Sequence, residues 1–145
     1  MGADMVNLTT LRTEVKDELE AAGIPTAGWA DNRLPAPPCA IVSLAEPYLS
    51  PATEGSGSLE CRFVAHLAVE VVAGRGPDEQ VAAELDWLIR TAVLALLTGE
   101  YTGRVPGDGV PQLVDVRPYV AETPEESMTV GAYVSVNFPI NMKES

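Results

Sequence analysis

The stretch Val69–Ile89, VEVVAGRGPDEQVAAELDWLI, reads as the end of a strand, a glycine turn and a helix. This is the setting in which a Gly-x-Gly turn can cradle a phosphate at a helix N-terminus. The residues argue against that use. A dinucleotide loop wants a third glycine three residues beyond Gly76, where Glu79 stands, and Pro77 and Asp78 occupy the helix start. Carboxylates at that position repel a phosphate and favour the positive end of the helix dipole. The strand leading into the turn also alternates: Leu59, Cys61, Phe63, Ala65, Leu67, Val69 and Val71 face one way, and Glu60, Arg62, Val64, His66, Ala68, Glu70 and Val72 the other. The buried parallel strand of a nucleotide-binding sheet is a continuous apolar run, whereas alternation marks a sheet covered on one face.

The same patterns extend in both directions. Upstream, Leu8, Leu11, Val15, Leu19 and Ala22 fall at helical spacing between a capping Asn7 and a stop at Gly23 and Pro25. A proline-rich bend at Pro35, Pro37 and Pro38 then leads to a strand over about Cys39–Leu44, with Pro47 at its end or on an edge. Downstream, the helix is expected from about Pro77 to Leu97, with Val81, Leu85, Leu88, Ile89, Ala92 and Leu96 as its core stripe and Gly99 as its stop. Leu113–Val120 reads as an edge or bulged strand because of Pro118. In the last strand, Met128, Val130, Ala132, Val134, Val136, Phe138 and Ile140 alternate with Thr129, Gly131, Tyr133, Ser135, Asn137 and Pro139. The expected fold is α+β, one domain over residues 1–145: a two-layer sandwich in the order α-β-β-α-β-β, with about four long, mainly antiparallel strands and two helices on one face.

At 145 residues the chain can bury roughly 68–70% of its unfolded surface. The longest apolar run, AVLALL at Ala92–Leu97, is too short to span a bilayer, and MGADMVNLTT lacks the basic and apolar parts of a signal peptide, so a cytoplasmic or lysis-released protein is expected. Cys61 is expected opposite about Ala45, roughly 20 Å from Cys39 and beyond the ~7 Å reach of a disulfide. A formal net charge of −12 opposes non-specific binding to nucleic acid or to an anionic membrane.

Residues that carry chemistry are sparse. His66 is the only histidine, and Glu70, four residues along the same strand face, lies roughly 13 Å away, too far for a shared metal ion. It is also the only candidate base for a serine or cysteine nucleophile. The acidic pairs Asp17–Glu18, Asp78–Glu79 and Glu125–Glu126 fall on helix faces, caps or loops, where carboxylates solubilise. No catalytic residue, metal ligand or cofactor is assigned, and no enzyme activity is expected. Trp87 lies off the main helical stripe and Tyr133 on the polar side of its strand, so both are interface candidates, together with His66 and Arg62.

The N-terminal amphipathic helix, the segment LPAPPCAIVSLAEPYLSPAT, the strand CRFVAHLAVEVVA and the helix PDEQVAAELDWLIRTAVLALL together resemble small tail terminator (tail completion) proteins of long-tailed bacteriophages. The likeness covers roughly Leu8–Leu97 and rests on proline positions and apolar rhythm. It implies a homo-oligomeric ring, expected to be a hexamer, at the head-tail joint of the virion, assembled in the host cytoplasm. Such a ring sits on the tail tube protein, stops its polymerisation and offers a surface to the head-tail connector or stopper protein. Genomic DNA would pass through without specific binding, and an acidic loop carrying Glu125 and Glu126 would suit the lumen. The alternatives are a connector or stopper protein on the head side of the neck and, from another class, a small-molecule or nucleotide-binding enzyme.

Overall fold

Alternate residues of three long strands, brought into register, build the core of this protein. The computed structural model describes residues 8–29, 31, 33, 35–51, 62–75, 79–101, 110–122 and 128–141. In chain order the elements are α1 (Leu8–Ala21), β1 (Thr26–Ala27), β2 (Cys39–Pro51), β3 (Arg62–Arg75), α2 (Glu79–Thr98), β4 (Gln112–Glu122) and β5 (Met128–Asn141). The strands form one sheet in the order β1-β2-β3-β5-β4, antiparallel except for the short β1 beside β2. Both helices pack against the same face.

Register explains why that face is the buried one. Val42 pairs with Val69 and Val69 with Val134, and all three side chains are fully buried. The neighbouring rows, Leu67 with Val136 and Ala65 with Phe138, continue the layer. Because strand side chains alternate with a period of two, one register places every second residue of β3 and β5 under the helices. Leu85, Leu88, Ala92 and Leu96 of α2 close over it, and Leu11, Val15 and Leu19 of α1 complete the cluster.

The helix ends follow from local chemistry. Gly23, at φ +95°, ends α1: its amide donates to the Glu20 carbonyl and the Ile24 amide to the Leu19 carbonyl. This pair of bonds satisfies carbonyls that the last turn leaves open, and buries Ile24 against Leu19. Gly99 ends α2 for a different reason. A Cβ there would lie 2.7 Å from the Tyr101 hydroxyl and 2.8 Å from Glu18 Cγ, so only glycine lets the chain pass between them. Tyr101 then turns back, donating to the Leu96 carbonyl at 2.9 Å and meeting Phe138 edge-on at 5.1 Å.

Three expectations need correction. β1 was not anticipated, because two residues carry no periodicity. β2 does not stop at Leu44; it continues through Pro47 to Pro51, with Ala45–Tyr48 bulged out between the Leu44–Leu67 and Leu49–Ala65 pairs. Pro47 is tolerated because this part of β2 lies on an outer edge, where no neighbour needs its amide. The bulge also removes the expected pairing near Ala45, which falls opposite His66 instead, and Cys39 pairs with Val72. Cys39 is free and buried, while Cys61, Asn7, Pro77 and Asp78 lie outside the described residues. Pro118 does sit on an edge strand, and β4 is bulged at Val114.

The two faces of α2 predict opposite responses to truncation. Leu88→Ala should cost about 2–5 kcal/mol of stability in denaturant unfolding, because it opens a cavity in the core. Leu94→Ala, on the outer side at 48% exposure, should change it by no more than about 0.5 kcal/mol.

Candidate functional site

Among the described residues, nothing covers the face of the sheet away from the helices, and two irregularities shape it. On β2, the residues Ala45–Tyr48 stand opposite His66 alone; on β4, Val114 is one residue extra between the Leu113–Val136 and Asp115–Ser135 pairs. Bulges bend the bulged strand and redirect its side chains. Between them lies an open depression of about 270 Å3, bordered by Glu46, Pro47, His66, Asp115, Arg117 and Asn137.

Two polar groups of contacts occupy this face. In the first, His66 Nδ1 lies 2.6 Å from Asn137 Oδ1 and His66 Nε2 2.7 Å from Ser50 Oγ. With the amide oxygen of Asn137 facing it, Nδ1 donates, and in the neutral ring Nε2 then accepts from the Ser50 hydroxyl. Chemically this is a hydroxyl, a base and a group that orients the base. Register alone accounts for the meeting: His66 pairs directly with Asn137, and Ser50 pairs with Val64, two residues from His66 on the same face.

In the second, the Tyr119 hydroxyl donates to Glu70 Oε2, and the Tyr119 ring lies 5.2 Å from that of Tyr133, tilted by 36°. Gly131 lets the ring lie flat on the strand. A Cβ at that position would come within 2.6 Å of both the Tyr119 hydroxyl and the Val71 carbonyl. Burial pushes the Tyr119 pKa well above its ordinary value, and the hydrogen bond to the Glu70 carboxylate pushes it further the same way. Burial likewise raises the Cys39 thiol, with Glu70 adding to the effect. A buried thiol held in its neutral form is a packing residue rather than a nucleophile.

At the rim, Arg117 donates to Asp115 Oδ2 from both Nε and Nη2 at 3.1 Å. Asp115 Oδ1 is buried without a partner. Among the described residues, no group of three His, Cys, Asp or Glu side chains is placed to hold a metal ion.

The residues singled out from the sequence do not converge. Trp87, 45% exposed, lies on the outer side of α2; Tyr133, 41% exposed, lies on the uncovered sheet face on the opposite side of the domain. His66 is half-buried beside the depression. Arg62 begins β3, but its side chain, like Glu125 and Glu126, lies outside the described residues. Sequence reasoning missed Ser50, Asn137, Tyr119 and Asp115 as a set. Ser50 opens the polar stretch SPATEGSGS, which reads as a loop, and the others meet only through the register of strands far apart in the chain.

No protein-family model matches this chain, and no curated protein does.

The raised tyrosine pKa values carry a sign for stability. Tyr119 and Tyr101 both bind their protons more tightly in the folded chain than when unfolded; for Tyr101 the cause is burial, then the charges of Glu18 and Glu14. The unfolded chain begins to lose these protons at about pH 10, so stability should be full below that pH and fall above it. Denaturant unfolding across pH 8–11 should show this decline, and the Tyr101→Phe/Tyr119→Phe variant should show a shallower one.

Proposed function

We propose that this chain is a tail terminator subunit of a long-tailed bacteriophage. It forms a ring, expected to be hexameric, at the head-proximal end of the tail tube. The ring stops tube polymerisation, offers its far side to the connector or stopper protein, and lets DNA pass without holding it. The reading begins from the resemblance over Leu8–Leu97. The observation that carries it further is the distribution of exposed apolar side chains. Trp87 and Leu94 stand out from the helix layer, while Tyr133 on the opposite sheet face and Val114 and Val120 on β4 stand out elsewhere. A subunit in a ring needs separate surfaces for its two neighbours, and exposed aromatic residues are common in such contacts. The net charge of −12 suits a lumen that must not bind phosphates.

A head-side connector or stopper would need similar surfaces, and the two are separated by what fails without the protein. In particles made with the gene disrupted, electron microscopy should show free heads beside headless tails of abnormal, variable length. Headless tails of normal length would move the protein to the head side of the joint. Intact infectious particles would overturn both assignments.

The Ser50–His66–Asn137 chain favours a second reading, an enzyme with an activated serine. We rank it lower because Ser50 lies within β2, paired opposite Val64, where backbone amides point along the sheet toward neighbouring strands. Amides that stabilise an oxyanion must instead point at the reacting atom beside the nucleophile. A fluorophosphonate probe should therefore leave Ser50 unlabelled. Labelling at Ser50 that disappears in His66→Ala would establish the enzyme reading instead.

A further inference from the structure

We infer that neighbouring subunits join helix to sheet: the outer stripe of α2 on one copy seats in the depression on the uncovered sheet face of the next. The inference rests on the self-association proposed above and names the surfaces that carry it. Ala83, Trp87, Arg90 and Leu94 are all exposed and fall at helical intervals on the side of α2 opposite its core stripe. Arg90 is the only basic residue of that helix, and the described residues give it no ion-pair partner. It stands between Trp87 and Leu94, one turn from each.

The depression offers the complementary chemistry. Its rim carries Glu46, which is exposed, and Asp115, whose side chain is 35% exposed. Arg117, at the same rim with its side chain 77% exposed, contacts Asp115 through Oδ2. Ala45, Pro47 and Val114 provide apolar surface around these charges. An arginine flanked by two apolar side chains thus meets two carboxylates, Glu46 and the Arg117-paired Asp115, flanked by apolar ones, in a chain where basic residues number 9 against 21 acidic. Charge complementarity of this kind sets register and excludes other pairings.

Among the described residues, both outer edges of the sheet are interrupted. On β4 the ladder is broken at Val114 and Pro118 contributes no amide; on β2 the segment Ala45–Tyr48 is bulged and contains Pro47. Bulges and prolines are devices that prevent strand-to-strand addition at an edge. Because the helix stripe and the depression lie on opposite layers, one subunit uses both at once. Contacts between unlike surfaces run head to tail and close into rings when the rotation permits. A stable contact of this kind covers about 800 Å2 per partner, which is about a tenth of the 8374 Å2 surface of this chain.

Sedimentation of the full chain and of two charge-reversed variants tests the inference. Arg90→Asp and Asp115→Arg should each weaken self-association roughly tenfold or more, since each places like charges across the joint. Mixed in equal amounts they should assemble as wild type does, because every contact in an alternating array is again between opposite charges. That rescue also shows that both variants are folded. If the variants associate as well as wild type, the joint lies elsewhere while self-association stands. A wild-type chain that remains monomeric at about 1 mM overturns the inference outright. Rescue into open chains rather than closed rings would support the joint and count against the capping role.

Discussion

A sheet has two faces, and this chain has helices enough to cover one. The row Val42–Val69–Val134, shared by the three long strands, lies under α2 and excludes water completely. Burial of apolar surface in that layer is the main force holding the domain together. Its register then dictates everything on the other side. Once Val69 faces inward, His66 and Glu70 must face outward, and so must Asn137 and Tyr133 across from them. The uncovered face is the necessary complement of the core.

That face is kept stable by local pairing of polar groups. His66 is satisfied at both nitrogens by Ser50 and Asn137; Glu70 accepts from Tyr119, which covers the bare backbone at Gly131. Half-buried polar side chains without such partners would each cost free energy comparable to a lost hydrogen bond. The bulges on β2 and β4 serve a related purpose. They hollow the middle of the face and interrupt the open backbone along its outer edges. The structure thus separates two surfaces with different chemistry, an apolar stripe on α2 with Arg90 beside the exposed Asp86, and a depression on the sheet rimmed by Glu46, Asp115 and Arg117.

Alternation in β3 and β5 and the stripe of α2 made the α+β architecture and the inner layer readable from the sequence, because a period of two or of 3.6 residues reports directly which side is buried. The edge position of Pro118 was readable for the same kind of reason: proline cannot serve a central strand. The site was not readable. Ser50 meets His66 only because β2 continues past Pro47, and Asp115 reaches the depression only because Val114 adds a residue to β4. A bulge shifts register without leaving a periodic trace, so what it brings together cannot be found by spacing. Trp87 sits between these cases. Helical phase separated it from the core stripe, and its 45% exposure places it on the outer surface of α2.

The proposed role asks for no chemistry, only for a subunit whose surfaces fit its neighbours better than another tube subunit does. The most direct measurement is tube elongation in the test tube, using the tail tube protein that the proposed role requires as this chain's partner. Adding the purified chain in amounts far below the tube protein should halt growth and leave short tubes with added density at one end. Tubes of unchanged length, bare at both ends, would contradict the account.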